Sequence, residues 1–166
     1  MSIKDCVQCS AATRHGNGPR CKNITCIYSE FCNTHTKALF DLSLKQSKIP
    51  VAGKGLFTTK TIAKNKNIAR YTGDIKTVAD YNANQSGYAV AISKNRIIDA
   101  ASTQSGLARY ANDCRAPNRK AGQCKGSNAR FVVNYNGDKP TIWLRATKKI
   151  PANSEIYVSY GVGYWR

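Results

Sequence analysis

The chain has 166 residues, of which 26 are Lys or Arg and 9 are Asp or Glu, so its formal net charge is +17. With 42% hydrophobic residues the sequence can build a core, which excludes wholesale disorder. No run approaches the roughly 18 apolar residues of a membrane span, which excludes an integral membrane protein. Because so one-sided a charge attracts polyanions, nucleic acid is the first partner to consider.

A cysteine-rich segment opens the chain. Five of the seven cysteines and both histidines lie in residues 1–35. The first residues, MSIKDCVQCS, show no charged-then-apolar leader, so we expect an intracellular protein whose cysteines are reduced thiols or metal ligands and not disulfides. A short polar segment cannot fold by apolar burial alone, and a tetrahedral zinc ion supplies the missing free energy.

The predicted zinc site is a Cys3His set with the spacing C-x11-C-x10-C-x2-H: Cys9, Cys21, Cys32 and His35. Cys32 and His35 form its most compact pair. Cys6 or Cys26 in place of Cys9 stays open. The role that we expect is structural, because no nearby Glu occupies the position of a catalytic base.

The segment TKALFDLSLKQS follows, and its Leu39, Phe40, Leu42 and Leu44 predict a short helix that leads into a strand. We place a boundary near residue 48, between a zinc-binding module of residues 1–48 and a second domain of residues 49–166. From residue 49 to 74 short apolar stretches alternate with turn residues, which is typical of an all-β fold and predicts two strands. Taken alone, the GKG at residues 53–55 predicts a tight turn.

Four blocks then occur in a fixed order: GKGLF at 53–57, YTGD at 71–74, NDCRAPN at 112–118 and SEIYVSYG at 154–161. In this order and spacing they resemble the blocks of the SET-domain protein lysine methyltransferases, and the resemblance covers residues 49–166. The Cys-rich lead and the terminal GYW are most similar to the small SET proteins of large DNA viruses.

The resemblance implies a mainly β fold, in which small curved β-sheets surround a C-terminal pseudoknot and a small zinc-binding module precedes them. The SYG segment would pass beneath the loop that carries NDCRAPN. Two openings on opposite faces would admit S-adenosylmethionine and a substrate lysine, and a narrow channel would join them. Zinc takes no part in that chemistry.

The resemblance also implies residue roles. Tyr160 and Tyr71 are the implied catalytic residues, as walls of the channel where the methyl group moves. Trp165 would cover the adenine ring, or serve as a hydrophobic plug. The implied cofactor-binding residues are Lys54, Gly55, Leu56, Tyr71, Asn112, Asp113, Tyr160 and Trp165.

Three positions depart from the family pattern or bear on the product. Asp113 stands where the family has His. Residues 153–156 read NSEI, so that only Glu155 of the acidic pair is kept, and we expect it to be structural. Val158, two residues before Tyr160, leaves room in the channel and does not forbid more than one methyl group.

The function that follows is S-adenosylmethionine-dependent protein lysine N-methylation of histone tails in chromatin. The alternatives are a SET-fold chromatin or nucleic-acid binding module that has lost turnover, and a methyltransferase for a non-histone protein. We expect a nuclear or chromatin location, in the host nucleus if the protein is viral, with no membrane partner and a homodimer left open. The basic loop after residue 118, with Arg119, Lys120 and Lys125, is the predicted nucleosome or DNA contact, and a solvated surface loop is its alternative.

Overall fold

The computed structural model describes residues 6–12, 18–25, 30–50, 52–83, 85–102, 105–114, 124–135 and 140–161. Within these ranges the protein is mainly β, with short strands and few helices, as predicted. No helix there is long and apolar enough to cross a membrane. The chain forms two compact units, residues 1–41 with 72–106 and residues 42–71 with 107–166. The division into a module of residues 1–48 and a domain of residues 49–166 stays a prediction.

The first unit begins with three small elements: β1 (Val7–Gln8), β2 (Ile24–Thr25) and α1 (Asn33–Phe40). The two strands pair antiparallel. Cys32 precedes α1 in an extended conformation. The helix ends at Phe40, and the next residue, Asp41, adopts a left-handed φ of 54° and donates its backbone N–H to the Lys37 carbonyl. A strand follows directly, so the predicted helix leading into a strand is confirmed.

A three-stranded antiparallel sheet in the order β6–β8–β7 completes this unit. Its elements are β6 (Asp74–Thr77), α2 (Val78–Ala83), β7 (Ala89–Ala91) and β8 (Arg96–Asp99). The buried Asp99 carboxylate accepts hydrogen bonds from Lys76 Nζ at 2.7 Å and from Ser86 Oγ at 2.5 Å. Burial raises the pKa of Asp99, but these two bonds outweigh it and the net pKa is lowered.

In its described residues the second unit holds seven strands and a 3-10 helix: β3 (Leu42–Gln46), β4 (Lys54–Thr58), β5 (Asn67–Tyr71), the 3-10 helix Leu107–Tyr110, β9 (Asn112–Asp113), β10 (Ala129–Asn134), β11 (Thr141–Ala146) and β12 (Tyr157–Val158). The two strands predicted between residues 49 and 74 are β4 and β5. They pair with β3 and β11, not with each other. The tight turn predicted at residues 53–55 was wrong, because Lys54 and Gly55 belong to β4 and only Gly53, whose φ is +69°, has a left-handed backbone.

The antiparallel sheet β10–β11–β5 shows the clearest alternation. Along β11, Ile142, Leu144 and Ala146 are buried, whereas Trp143 and Arg145 are half-buried on the opposite face. An irregularity in the pairing with β5, between Leu144 and Arg145, shifts the register of the two strands by a β-bulge. The apolar core of this unit includes Leu42, Leu44, Leu56, Ile142, Leu144, Ile150, Ile156 and Val158.

The parallel pair β9–β12 brings the last sequence block beside the third. Tyr157 lies opposite Asn112, and Val158 lies opposite Asp113. The segment before β12 also contacts β4, because the Ile156 N–H donates to the Leu56 carbonyl at 2.7 Å. Three stretches far apart in the sequence therefore meet along residues 155–160.

Candidate functional site

The four predicted zinc ligands lie together in the first unit: Cys9, Cys21, Cys32 and His35. Their ligand atoms are all within 4.8 Å of one another, and the three cysteines are buried. His35 presents Nδ1, which is 3.3 Å from Cys32 Sγ and 3.5 Å from Cys9 Sγ. The local fold explains the Cys32–His35 pair, since Cys32 precedes α1 and His35 lies in its first turn.

The donor set has the chemistry of a structural zinc site. Three sulfurs and one imidazole nitrogen match the tetrahedral preference of Zn²⁺. Burial raises the pKa of Cys32, but hydrogen bonds with the His35 backbone and the Asn23 amide outweigh it and lower the pKa to about 6. For Cys21, the Asn23 backbone bond lowers the pKa, yet burial and the Cys9 thiol raise it overall. A thiolate is the form that binds zinc, so Cys32 is prepared for this role.

The remaining cysteines differ from expectation. Cys6 is disulfide-bonded, which removes it as a substitute for Cys9, and Cys26 lies outside the described residues. Cys114 and Cys124 form a disulfide, with Cα atoms 5.7 Å apart. The prediction that all cysteines are reduced thiols or metal ligands was therefore wrong for Cys6, Cys114 and Cys124. It was based on the expected cell compartment, and the sequence does not show which cysteines the fold brings within bonding distance.

In the second unit, Glu155 is the centre of a buried hydrogen-bond network. Its side chain is 2% exposed. It accepts hydrogen bonds from Ser47 Oγ at 2.6 Å, the Lys48 backbone N–H at 2.8 Å and the Tyr157 hydroxyl at 2.8 Å. Burial and the bond to Glu155 raise the pKa of Tyr157 well above its usual value. The carboxylate is thus paired on both oxygens, as its predicted structural role requires.

The same network holds Asn112 against β4. Asn112 Nδ2 donates to the Lys54 carbonyl at 3.1 Å and lies 3.4 Å from Glu155 Oε1. A Cβ on Gly55 would overlap the Glu155 carboxylate and approach Asn112 Nδ2 to 3.3 Å, so only glycine fits there. Because both contacts use Nδ2, the amide oxygen of Asn112 points away from the network and can accept a hydrogen bond.

Tyr160 is held through its backbone and its hydroxyl. Its backbone N–H donates to Asp113 Oδ2 at 2.7 Å, and its hydroxyl donates to the Ala111 carbonyl at 3.1 Å. Asp113 is 1% exposed. A buried carboxylate therefore fixes the backbone of Tyr160, at the position where the sequence departs from the family pattern.

The other predicted site residues differ in burial, and some of them lie outside the part of the chain that the structure describes. Leu56 is fully buried in β4. Tyr71 ends β5, is buried and packs edge-on against Phe131 with ring centroids 4.8 Å apart. Lys125 is exposed. The predicted contacts Trp165, Arg119 and Lys120 lie outside the described residues.

Sequence reasoning missed Ser47, Tyr157 and above all Asn128. Asn128 Nδ2 donates to the Glu155 carbonyl at 2.9 Å, and its Oδ1 accepts the Tyr157 N–H at 2.8 Å. The Asn128 N–H also donates to the Tyr157 carbonyl at 3.0 Å. One asparagine just before β10 thus clamps the closing segment, and no spacing rule marks it in the sequence.

A family model agrees with this arrangement. The model described as the SET domain matches residues 53–161, which include β4, β9, β12 and Tyr160. The chain belongs to the SET-domain family. Among curated proteins, no sequence matches this SET-domain chain.

Solved structures share the SET-domain fold. The crystal structure of Polycomb Repressive Complex 2 from Chaetomium thermophilum is 21% identical with a TM-score of 0.61, over 74% of this chain and 15% of that chain. A humanized mutant of that complex bound to an inhibitor is 22% identical with a TM-score of 0.59, and the match covers 72% of this chain and 15% of that chain. The complex in an autoinhibited conformation bound to S-adenosylmethionine is 23% identical with a TM-score of 0.58, and the match again covers 72% of this chain and 15% of that chain. This protein thus corresponds to about 15% of those chains, and the likeness is one of fold.

Proposed function

We propose that this SET-domain protein is an S-adenosylmethionine-dependent protein lysine N-methyltransferase that acts on histone tails in chromatin. Family membership supports the reaction class, since the resemblance to SET-domain enzymes implies lysine methylation. The observation that carries the proposal is the fixing of Tyr160 by Asp113 and Ala111. Methyl transfer from sulfur to nitrogen is an in-line displacement, so its catalysis depends on groups held in one geometry.

The residues around Asn112 fit the cofactor. S-adenosylmethionine supplies a methyl group activated on a sulfonium. The outward amide oxygen of Asn112 suits the ammonium of its amino acid end, and the backbone of Lys54, Gly55 and Leu56 would line the same end. Trp165 would cover the adenine ring. Glu155 keeps the Asn112 amide in this orientation by engaging Nδ2.

The two tyrosines would act as neutral phenols. The Tyr160 hydroxyl donates its proton to the Ala111 carbonyl, and its oxygen would stabilise a methyl group that carries partial positive charge. Tyr71 would form a second wall and orient the amine. A lysine desolvated beside a sulfonium has a lowered pKa, so its proton can pass to water before the transfer.

Zinc would be a structural component. Cys9, Cys21, Cys32 and His35 would bind one ion, which would hold β1, β2 and α1 together. This ion would take no part in methyl transfer.

The charge of +17 supports a substrate within chromatin. A free histone tail is basic and is repelled at long range, whereas nucleosomal DNA attracts the protein. The loop with Arg119, Lys120 and Lys125 is our proposed nucleosome contact. The resemblance to small viral SET proteins extends the proposal to a host nucleus.

The test is transfer of labelled methyl groups from S-adenosylmethionine to nucleosomes, free histones and a nuclear extract. We expect label on a histone band, faster on nucleosomes than on free histones, and its loss in Tyr160→Phe. Tyr135→Phe is the matched control, because Tyr135 is 63% exposed and outside the site. Label on a non-histone band would redirect the proposal to another substrate. No label, despite bound cofactor and tight nucleosome binding, would replace it with the binding module.

A further inference from the structure

The outward face of the sheet β10–β11–β5 carries arginines in neighbouring rows. In one row Arg130 lies opposite Arg145, which lies opposite Asn67. In the next row Trp143 lies opposite Arg70. Arg130 and Arg70 are exposed, and Arg145 is half-buried. These side chains share the face opposite Ile142 and Leu144, so they belong to a surface and not to the core.

Basic residues also predominate in the described segments that flank these three strands in the sequence. Residues 60–71, 124–135 and 140–150 contain nine basic residues and no Asp or Glu. The turn at residues 64–66 joins the Arg145 end of β11, because Ala146 exchanges backbone bonds with Asn65 and Lys66 at 2.9 and 3.0 Å. The nine residues are Lys60, Lys64, Lys66, Arg70, Lys125, Arg130, Arg145, Lys148 and Lys149.

The pairing of Arg130 with Arg145 indicates an anionic partner. Like charges directly opposite each other on a sheet face are destabilising, and these three strands supply no acidic side chain to offset them. Arg145 Nε donates to Asn67 Oδ1 at 2.8 Å, which orients the guanidinium while its terminal nitrogens stay available as donors. A row of phosphates placed against this pair would relieve the repulsion.

The aromatic ring on this face distinguishes between kinds of nucleic acid. Single-stranded binders stack bases on aromatic rings. Here the Arg70 guanidinium lies 6.0 Å from the Trp143 ring centroid and covers the ring. That contact hinders stacking of a base on the ring and adds a cation beside it, which fits the phosphate backbone of a duplex better than the unstacked bases of a single strand.

We propose that the outward face of β10–β11–β5, with the adjoining turn at residues 64–66 and Lys148 and Lys149, binds the phosphate backbone of duplex DNA without sequence preference. This surface does not include Arg119 or Lys120, the residues of the nucleosome contact proposed above. Its binding does not depend on methyl transfer, since DNA affinity is measured without cofactor or histone, so failure of one proposal leaves the other standing.

The experiment is a fluorescence-anisotropy titration of the full chain with two unrelated duplexes of equal length, over a series of salt concentrations. Arg130→Gln/Arg145→Gln is compared with Lys94→Gln/Arg96→Gln, which removes the same charge from exposed residues of the other unit. We expect equal affinity for both duplexes, and for the sheet variant a loss of about tenfold near 0.15 M salt with a salt slope smaller by about two. Its melting temperature should not fall.

Three results would overturn the proposal. The first is an equal loss of affinity in both double variants, which would mean that only total charge matters. The second is tighter binding of a single strand of the same length, and the third is no duplex binding at physiological salt. A fall in melting temperature for the sheet variant is resolved by Arg130→Gln alone, which keeps the Arg145–Asn67 bond and should still lose affinity against Arg96→Gln.

Discussion

The Asp113 carboxylate accepts the backbone N–H of Tyr160 at 2.7 Å, so the residue that departs from the SET-domain pattern holds the tyrosine that follows it by 47 positions. Both groups lie where β9 and β12 pair in parallel. The Asp at this position therefore provides a buried acceptor for the backbone of Tyr160.

Replacing Asp113 tests this role. In Asp113→Ala the Tyr160 N–H loses its buried acceptor, which should cost about 1–3 kcal/mol of unfolding free energy and lower the rate of methyl transfer. Asp113→Asn keeps an oxygen at that position and should retain most of both. Denaturant unfolding and initial rates check the pair, and similar losses in the two variants would show that the hydrogen bond is not what matters.

Gly55 and Gly53 form a second matched pair. A Cβ on Gly55 would overlap Glu155, so Gly55→Ala should displace Asn112 and weaken S-adenosylmethionine binding by at least about tenfold, equivalent to about 1.4 kcal/mol. Nothing lies within 4 Å of a Cβ on Gly53, whose φ of +69° makes Gly53→Ala cost only about 1–2 kcal/mol of backbone strain. Calorimetric titration of both variants with the cofactor measures the difference; equal affinities would argue against the network.

Residue chemistry decided how much the sequence could predict. The four zinc-type ligands could be predicted because cysteine and histidine are rarely so dense in a short polar segment. The order of the four sequence blocks predicted the SET fold. The roles of Ser47 and Asn128 could not be predicted from the sequence. They bond to Glu155 and Tyr157 across 108 and 29 residues, and polar residues in loops are too common to be singled out. The sequence likewise gives no measure of distance between Cys114 and Cys124.

Zinc removal should unfold the first unit selectively. We expect elemental analysis to find one zinc per chain, and Cys21→Ser to lose it together with thermal stability. The control is Cys114→Ser/Cys124→Ser, which removes two cysteines outside the cluster and should keep the metal. A purified protein that holds no zinc and melts at the same temperature with and without chelator would refute the site.

The Cys114–Cys124 disulfide should stabilise the second unit. Its sequence separation of 10 gives, from loop-closure entropy, roughly 3 kcal/mol that Cys114→Ser/Cys124→Ser would lose. Urea unfolding of both proteins without reductant measures this, because the disulfide of Cys6 is then intact in each. Identical midpoints would mean that the bond does not form in solution.

The contacts of Glu155 have a consequence for the order of folding. Ser47 and Asn112 reach this carboxylate across 108 and 43 residues, and Lys54 reaches Asn112 across 58. Such non-local contacts require closure of long loops before they contribute, so they form slowly and late. During refolding, local elements such as α1 and the β3–β4 pair should form well before residues 155–160 dock, and cofactor affinity should be the last native property to return.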